Sequence, residues 1–486
     1  MIDQTFVISS VSGGTWASSL FTYLPARISD DDFLGGIELD PAAITIWGKG
    51  PAALDDLPPN YLGRVPTGLG ALGDIDEIIR LKECYDYPNN DLWQGLIGDK
   101  VLAPFGLWSP NEQGFDPRFI TWNAAQRDAV IRRNPGLRRD QFLTVERKRP
   151  FLVMNTSLFL DQQTRADLVP FEANFSLGVR GFFPAHGGQS GDVGGGLLAS
   201  FAFTGDYRGE SNPGFVSSTP PPRAYSLADI VGSSSAAFAQ VAEEKYPELS
   251  GLVPRYNYWP VRNRARTPAQ DYRFADGGSL ENLGLNALLA RGLRRLVVFV
   301  NTDEAVRSEA GEIVLSSDLP PLFGLQPFLS GRGYVAYGPN QPGSGANRLF
   351  RHNQVFSTAD FAKLQKALWS AKQSQGTVMA AQRLEVLPNP WFGIEGGYLV
   401  DVLWIYNDFV PAWWKGLHEA VRLFIDAESL DDFPLYNTFT QLELSRYLVN
   451  ALAHLSAWNV ASDSTLGHPG FSNADMLRRL FAGRQS

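Results

Sequence analysis

At 486 residues, 44% hydrophobic and 12% aromatic, the chain is long enough to bury a large core and exceeds the usual size of one small domain. Its 42 basic against 51 acidic residues leave a formal charge of −9 and a sequence pI near 5.2, which argues against nucleic acid as a partner and against constitutive attraction to anionic membranes. A single cysteine, Cys84, excludes an intrachain disulfide framework and fits a reducing compartment, with a small buried hydrophobe as its expected role.

In chain order, the first predicted element is a strand, Phe6-Val7-Ile8, followed by Ser12 and a helix that opens Gly13-Gly14-Thr15-Trp16. A serine at a strand-to-helix turn is lifted above the sheet, and the helix N-terminus aims backbone amides at an oxyanion formed there. Ser12 therefore reads as a nucleophile, with the amides of Gly13 and Gly14 as oxyanion donors. Two residues earlier stands Ser10, where hydrolase elbows usually carry glycine, so the turn has slightly less steric freedom. The start of the chain lacks the basic and apolar pattern of a secretory signal, and no run approaches the roughly eighteen apolar residues of a membrane span.

Further along, Arg132-Arg133, Arg138-Arg139 and Arg147-Lys148-Arg149 form a modest positive stretch. Solvated helix and loop charges are its expected role, and contact with phosphate headgroups the rarer one. A glycine cluster, Gly187 to Gly196, reads as a surface loop beside a substrate entrance rather than as a source of oxyanion amides. Leu227 to Phe238 predicts a helix of small residues. A strand then ends at Phe274-Ala275-Asp276-Gly277-Gly278, followed by a helical stretch to Arg291 and the strand Leu296 to Val300. Glycine tolerates backbone conformations closed to other residues, so an Asp-Gly-Gly corner can project its carboxylate into a crowded site.

The remainder predicts helices around Asp360 to Lys372 and Gln441 to Leu455, and a last strand, Tyr398 to Tyr406. Residues 48–73, 205–223 and 318–347 are rich in proline and glycine and read as surface excursions. The last of them carries Leu322, Phe323, Leu325, Phe328, Leu329, Tyr334 and Tyr337, for which packing on the core is favoured over a hydrophobic rim or lid. Trp413 and Trp414 are adjacent on a predicted helix and cannot share a face, which places at least one of them near the surface. No zinc-ligand spacing, phosphate loop or dinucleotide fingerprint is present, so neither metal nor cofactor is expected in the chemical step.

A serine elbow followed, after a long middle region, by an aspartate at a glycine corner is the pair used by patatin-like lipid acyl hydrolases and cytosolic phospholipases of type A. The chain resembles them. Pro170-Phe171-Glu172, Phe175-Ser176 and Gly181-Phe182-Phe183-Pro184 are similar to the family's middle region, Leu227 to Phe238 to its central helix, and Phe433-Pro434-Leu435-Tyr436-Asn437-Thr438, with the helix ending at Trp458, to its closing segment. The resemblance implies an α/β fold, a three-layer α/β/α sandwich with a central mostly parallel sheet and a nucleophile elbow. It implies one elaborated domain over 1–486, with both motifs in 1–306 and 307–486 extending it.

In that reading Ser12 is the acyl acceptor and Asp276 its general base, while Asn282 falls in a family-like position without an assigned role. No histidine is required. His186, His352, His418, His454 and His468 lack a recognisable triad context, and a serine–histidine–aspartate hydrolase is the weaker rival. The implied reaction is hydrolysis of a phospholipid or other acyl-ester lipid through an acyl-serine, in the cytoplasm, with transient membrane-surface contact. An aspartate at its free pKa of about 3.9 is a weak base, so burial or hydrogen bonding has to tune it.

The family's catalytic domain begins with a strand and a glycine-rich oxyanion loop ending in arginine, and the eleven residues before Ser12 cannot contain it. A start placed too late is the expected reason, ahead of a loop supplied by another chain or loss of catalysis. The last of these would leave a catalytically impaired lipid-binding or scaffolding protein.

Overall fold

The computed structural model describes residues 4–73, 82–83, 87–111, 115–159, 168–173, 180–181, 196–197, 207–212, 215–237, 239–240, 243, 251–258, 270–338, 343, 345–438, 441, 443–466 and 470–482. Cys84, His186, His468, Phe238, Phe175-Ser176, Phe182-Phe183-Pro184 and residues 187–195 of the glycine cluster lie outside them. The protein is mixed α/β and forms two compact units, each assembled from three stretches. One comprises residues 1–28, 74–291 and 390–394, and the other 29–73, 292–389 and 395–486. These boundaries fall elsewhere than residue 306, where the sequence reading separates core from extension.

The first unit is built on a five-stranded sheet. Its strands are β1 (Val7–Val11), β2 (Phe151–Phe159), β3 (Leu168–Ala173), β4 (Arg255–Tyr258) and β5 (Gln270–Asp276). β2 is the hub. β3 runs antiparallel along one edge, pairing from Met154 to Phe159. The other edge is shared end to end: β1 pairs in parallel from Phe151 to Asn155, and β5 pairs antiparallel from Thr156 to Leu158. β4 then adds antiparallel to β5. The expected mostly parallel sheet is therefore corrected, since among the described residues β1–β2 is the one parallel pairing in this sheet. The physical reason is partly connection length, because the segments joining β2 to β3 and β4 to β5 are shorter than the roughly dozen residues a parallel crossover needs.

Helix α1 (Gly13–Tyr23) follows β1 and buries Trp16, Ser19, Leu20 and Tyr23, the i, i+3, i+4, i+7 face of a helix. It stops at Leu24, extended ahead of Pro25, as the residue before a proline prefers. Helices α2 (Asn89–Ile97) and α3 (Leu227–Ser234) pack closely, with Trp93 Nε1 donating to Gly232 O at 2.9 Å. Every residue of α3 is buried. A side chain on Gly232 would meet Gln94 at 3.1 Å, so glycine permits the approach. A short helix, α4 (Leu285–Leu289), follows the Asp-Gly-Gly corner.

In the second unit, β6 (Arg295–Val300) pairs in parallel with β8 (Tyr398–Tyr406), and β7 (Met379–Val386) pairs antiparallel on its other side. Helix α5 (Thr358–Gln373) lies beside β7, and α6 (Pro411–Gly416), α7 (Glu419–Ser429), α8 (Arg446–Ala461) and α9 (Asn473–Ala482) belong to the same unit. Ile44, Ile46 and Leu54 share a core with Trp413, Leu417, Val421, Leu448 and Leu455, which joins the early stretch to the last helices.

Candidate active site

The backbone at Ser12 is strained. It takes φ 49° and ψ −128°, a conformation that costs a non-glycine residue about 1–3 kcal/mol. The strain has a geometric origin: β1 ends at Val11, α1 begins at Gly13, and a single residue turns the chain between them. Thr15 N donates to Ser12 O at 2.8 Å and closes the first helical turn. Gly13 and Gly14 are exposed, and as the first residues of the helix their amides have no intrahelical acceptor. A side chain at Gly13 would meet nothing within 4 Å, and one at Gly14 only Ser10 Cβ at 4.0 Å, so neither position is crowded.

Adjacent residues of β2 bring the two motifs together. Val11 pairs with Asn155 and Asp276 with Thr156, so the C-terminal ends of β1 and β5 meet on β2. The polar triplet Asn155-Thr156-Ser157 clamps both. Asn155 Nδ2 donates to Ser9 Oγ at 2.8 Å and to Ser10 O at 3.0 Å. Thr156 Oγ1 donates to Ala275 O at 2.8 Å and Ser157 Oγ to Asp276 O at 3.0 Å. A side chain on Gly277 would come within 2.5 Å of Asn155 O, which makes glycine necessary at the corner. Across this junction Ser12 Oγ donates to Asp276 Oδ2 at 2.8 Å.

Asp276 is 2% exposed. Burial disfavours its charged form and raises its pKa to about 6, against the opposing pull of hydrogen bonds from Ser12 and from the amides of Gly278 and Ala237. Gly278 N donates to Oδ1 at 2.7 Å and Ala237 N to Oδ2 at 3.4 Å. At pH 7 such a group is about nine-tenths ionised, yet holds a proton far better than a solvated carboxylate. The arrangement therefore places a serine hydroxyl in contact with a buried carboxylate of raised pKa, next to two helix-terminal amides.

No protein-family model, curated protein or solved structure matches this chain. A cavity of about 20 Å³ borders the corner, lined by Asn155, Thr156, Gly277, Glu281 and others, and it has the size of one water rather than an acyl chain. Exposed Asn282 stands at the same corner, its Oδ1 where a side chain on Gly278 would go. The described histidines, His352, His418 and His454, all belong to the second unit, and the Ser12 hydroxyl donates directly to a carboxylate.

Other expected features resolve into exposed ion pairs and packing. Arg138 pairs with Asp140 and Arg139 with Asp128, Arg149 lies over the Phe21 ring, and Arg147 donates to the carbonyls of Ala26 and Ile28. Leu322, Phe323 and Leu325 are buried, with Phe323 against Phe356, Phe361 and Trp404, while Phe328, Leu329, Tyr334 and Tyr337 are half-buried. Trp413 is 1% exposed, and Trp414 is half-buried against Phe409 and Phe433. Sequence reasoning missed Asn155, Ser234 and Ala237. The signals were present as a polar Asn-Thr-Ser run inside an apolar strand and three consecutive serines in an apolar helix.

Proposed function

We propose that the protein is a serine acyl hydrolase that cleaves carboxylic esters of lipids, of phospholipase or lysophospholipase type, through a Ser12–Asp276 dyad. The observation that carries this reading is the 2.8 Å bond from the hydroxyl of Ser12, a residue of strained backbone, to a buried, pKa-raised Asp276 beside an exposed helix N-terminus. Asp276 takes the hydroxyl proton as Ser12 Oγ attacks the ester carbonyl, and the Gly13 and Gly14 amides receive the oxyanion. Collapse breaks the ester bond, and Asp276 returns the proton to the leaving alcohol. Asp276 then deprotonates a water that attacks the acyl-serine, releasing the fatty acid and reprotonating Ser12.

The lipid substrate class rests on the motif resemblance, which also points to a variant of the patatin-like layered architecture. Among the described residues no helix is long and apolar enough to cross a membrane, and the working setting proposed is cytoplasmic with transient contact at lipid surfaces.

Labelling of the folded protein with a fluorophosphonate, followed by mass spectrometry, tests the nucleophile without choosing a lipid. The expected adduct lies on Ser12 and is lost in Ser12→Ala. Folded protein that takes up no probe at Ser12 would overturn the reading.

A further inference from the structure

Behind the elbow runs a chain of hydroxyls that the reaction does not use. Ser234, at the end of α3 and 1% exposed, accepts from Ser12 N at 3.2 Å and donates to Asn155 O at 2.6 Å. It also lies 2.9 Å from Thr15 Oγ1, which is 3.1 Å from Ser10 Oγ, and Ser18 Oγ donates to Ser10 Oγ at 2.8 Å. A hydroxyl carries one proton. That of Ser234 goes to Asn155, so Thr15 donates to Ser234; Ser18 donates to Ser10, whose own hydroxyl faces both Thr15 Oγ1 and, at 3.5 Å, the Val153 carbonyl. Ser10, which stands where hydrolase elbows usually carry glycine, is one member of this chain.

The Ser12 amide needs such a partner. It stands between the last residue of β1 and the first of α1, where neither ladder supplies an acceptor. Its acceptor is held by a well-anchored element. Ser226 N donates to Asp229 Oδ2 at 2.8 Å to cap α3, and Arg223 grips both Asp229 oxygens at 2.7 Å and Asp91 at 2.6 Å. Trp16 Nε1 donates to Ser235 Oγ at 2.8 Å and ties α1 to the next residue.

We propose that Ser234 is a positioning residue: by accepting from the Ser12 amide and donating to Asn155, it holds the strained elbow so that Ser12 Oγ stays within reach of Asp276. The proposal rests on the reading of Ser12 as the nucleophile. Full-length variants are compared by fluorophosphonate inactivation, resolved into kinact and KI. Ser234→Ala lowers kinact roughly tenfold or more with KI changed by less than about threefold, as displacement of a reacting atom does. Ser234→Thr keeps the hydroxyl and restores kinact. Thr15→Val removes the other donor to Ser234 but leaves the Ser12 amide its acceptor, and it loses less than about threefold.

A smaller loss in Ser234→Ala, or an equal loss in Thr15→Val, overturns the proposal. The Thr15→Val comparison decides alone where the added methyl of Ser234→Thr prevents folding. Hydrogen exchange over residues 9–16 gives a readout independent of reaction: Ser234→Ala accelerates exchange of the Ser12 amide, and unchanged exchange counts against the proposal. Parent protein that folds but takes no label overturns the nucleophile reading instead, and exchange then decides the positioning role.

Discussion

Burial of Asp276 sets both the pH response of the site and its cost to the fold. The native pKa of about 6 lies above the value of 3.8 for a free aspartate, so between these values the native state holds a proton that the unfolded chain releases. That contribution to stability is fully present below about pH 4 and is lost as the pH rises through about 6, with a total of about 3 kcal/mol. Asp276→Asn should therefore raise stability at pH 7 by up to about 3 kcal/mol, with little gain at pH 4, while Ser12 ceases to label. Urea melts at the two pH values check this, and equal stability at pH 7 would remove the buried-carboxylate account. In the parent protein the labelling rate should climb with pH around a midpoint near 6. A midpoint near 4 would instead describe a solvated carboxylate.

At the scale of elements, the first turn of α1 carries glycines that packing does not require. Neither has positive φ, and a side chain at Gly13 would touch nothing. Alanine at a helical glycine ordinarily stabilises by about 0.5–1 kcal/mol. Gly13→Ala should thus raise the melting temperature slightly while its methyl intrudes on the approach to the amides. The expected slowing of Ser12 labelling is on the order of a hundredfold, the effect of losing one oxyanion donor. Unchanged labelling in a stabilised variant would show that the exposed N-terminus of α1 is not where the probe reacts. The glycine at 277 differs in kind, because there a side chain would strike Asn155 O.

For the whole molecule, both units draw on distant stretches of chain. In the second unit Asn450 Nδ2 donates to the carbonyls of Leu54 and Asp56, both at 2.9 Å, and Ile44, Ile46 and Leu54 pack with Trp413, Val421 and Leu448. A fragment of residues 1–291 would carry residues 29–73 without the helices that cover them, and would lack residues 390–394 of its own unit. It should fail to give a cooperative melt and should bind a hydrophobic dye strongly. A cooperatively melting fragment that still labels at Ser12 would show that the first unit folds independently.

Local pattern was enough to read Ser12, Gly13 and Gly14 as an elbow, Asp276 as a corner carboxylate, and the strands ending at Asp276, Val300 and Tyr406, because these depend on apolar runs and on glycine beside a short polar side chain. The direction of strand pairing was not legible, since apolar runs look alike in parallel and antiparallel sheets. Nor could the chain order reveal that β1 and β5 end on consecutive residues of β2, or that Ser234 of a separate helix would meet the Ser12 amide. Ser12 and Asp276 are 264 residues apart in the chain. Sequence alone determined that a serine stands at the strand-to-helix turn and an aspartate at the glycine corner; their 2.8 Å contact and the raised pKa of Asp276 were decided by the tertiary structure, because both arise from burial and pairing between distant segments.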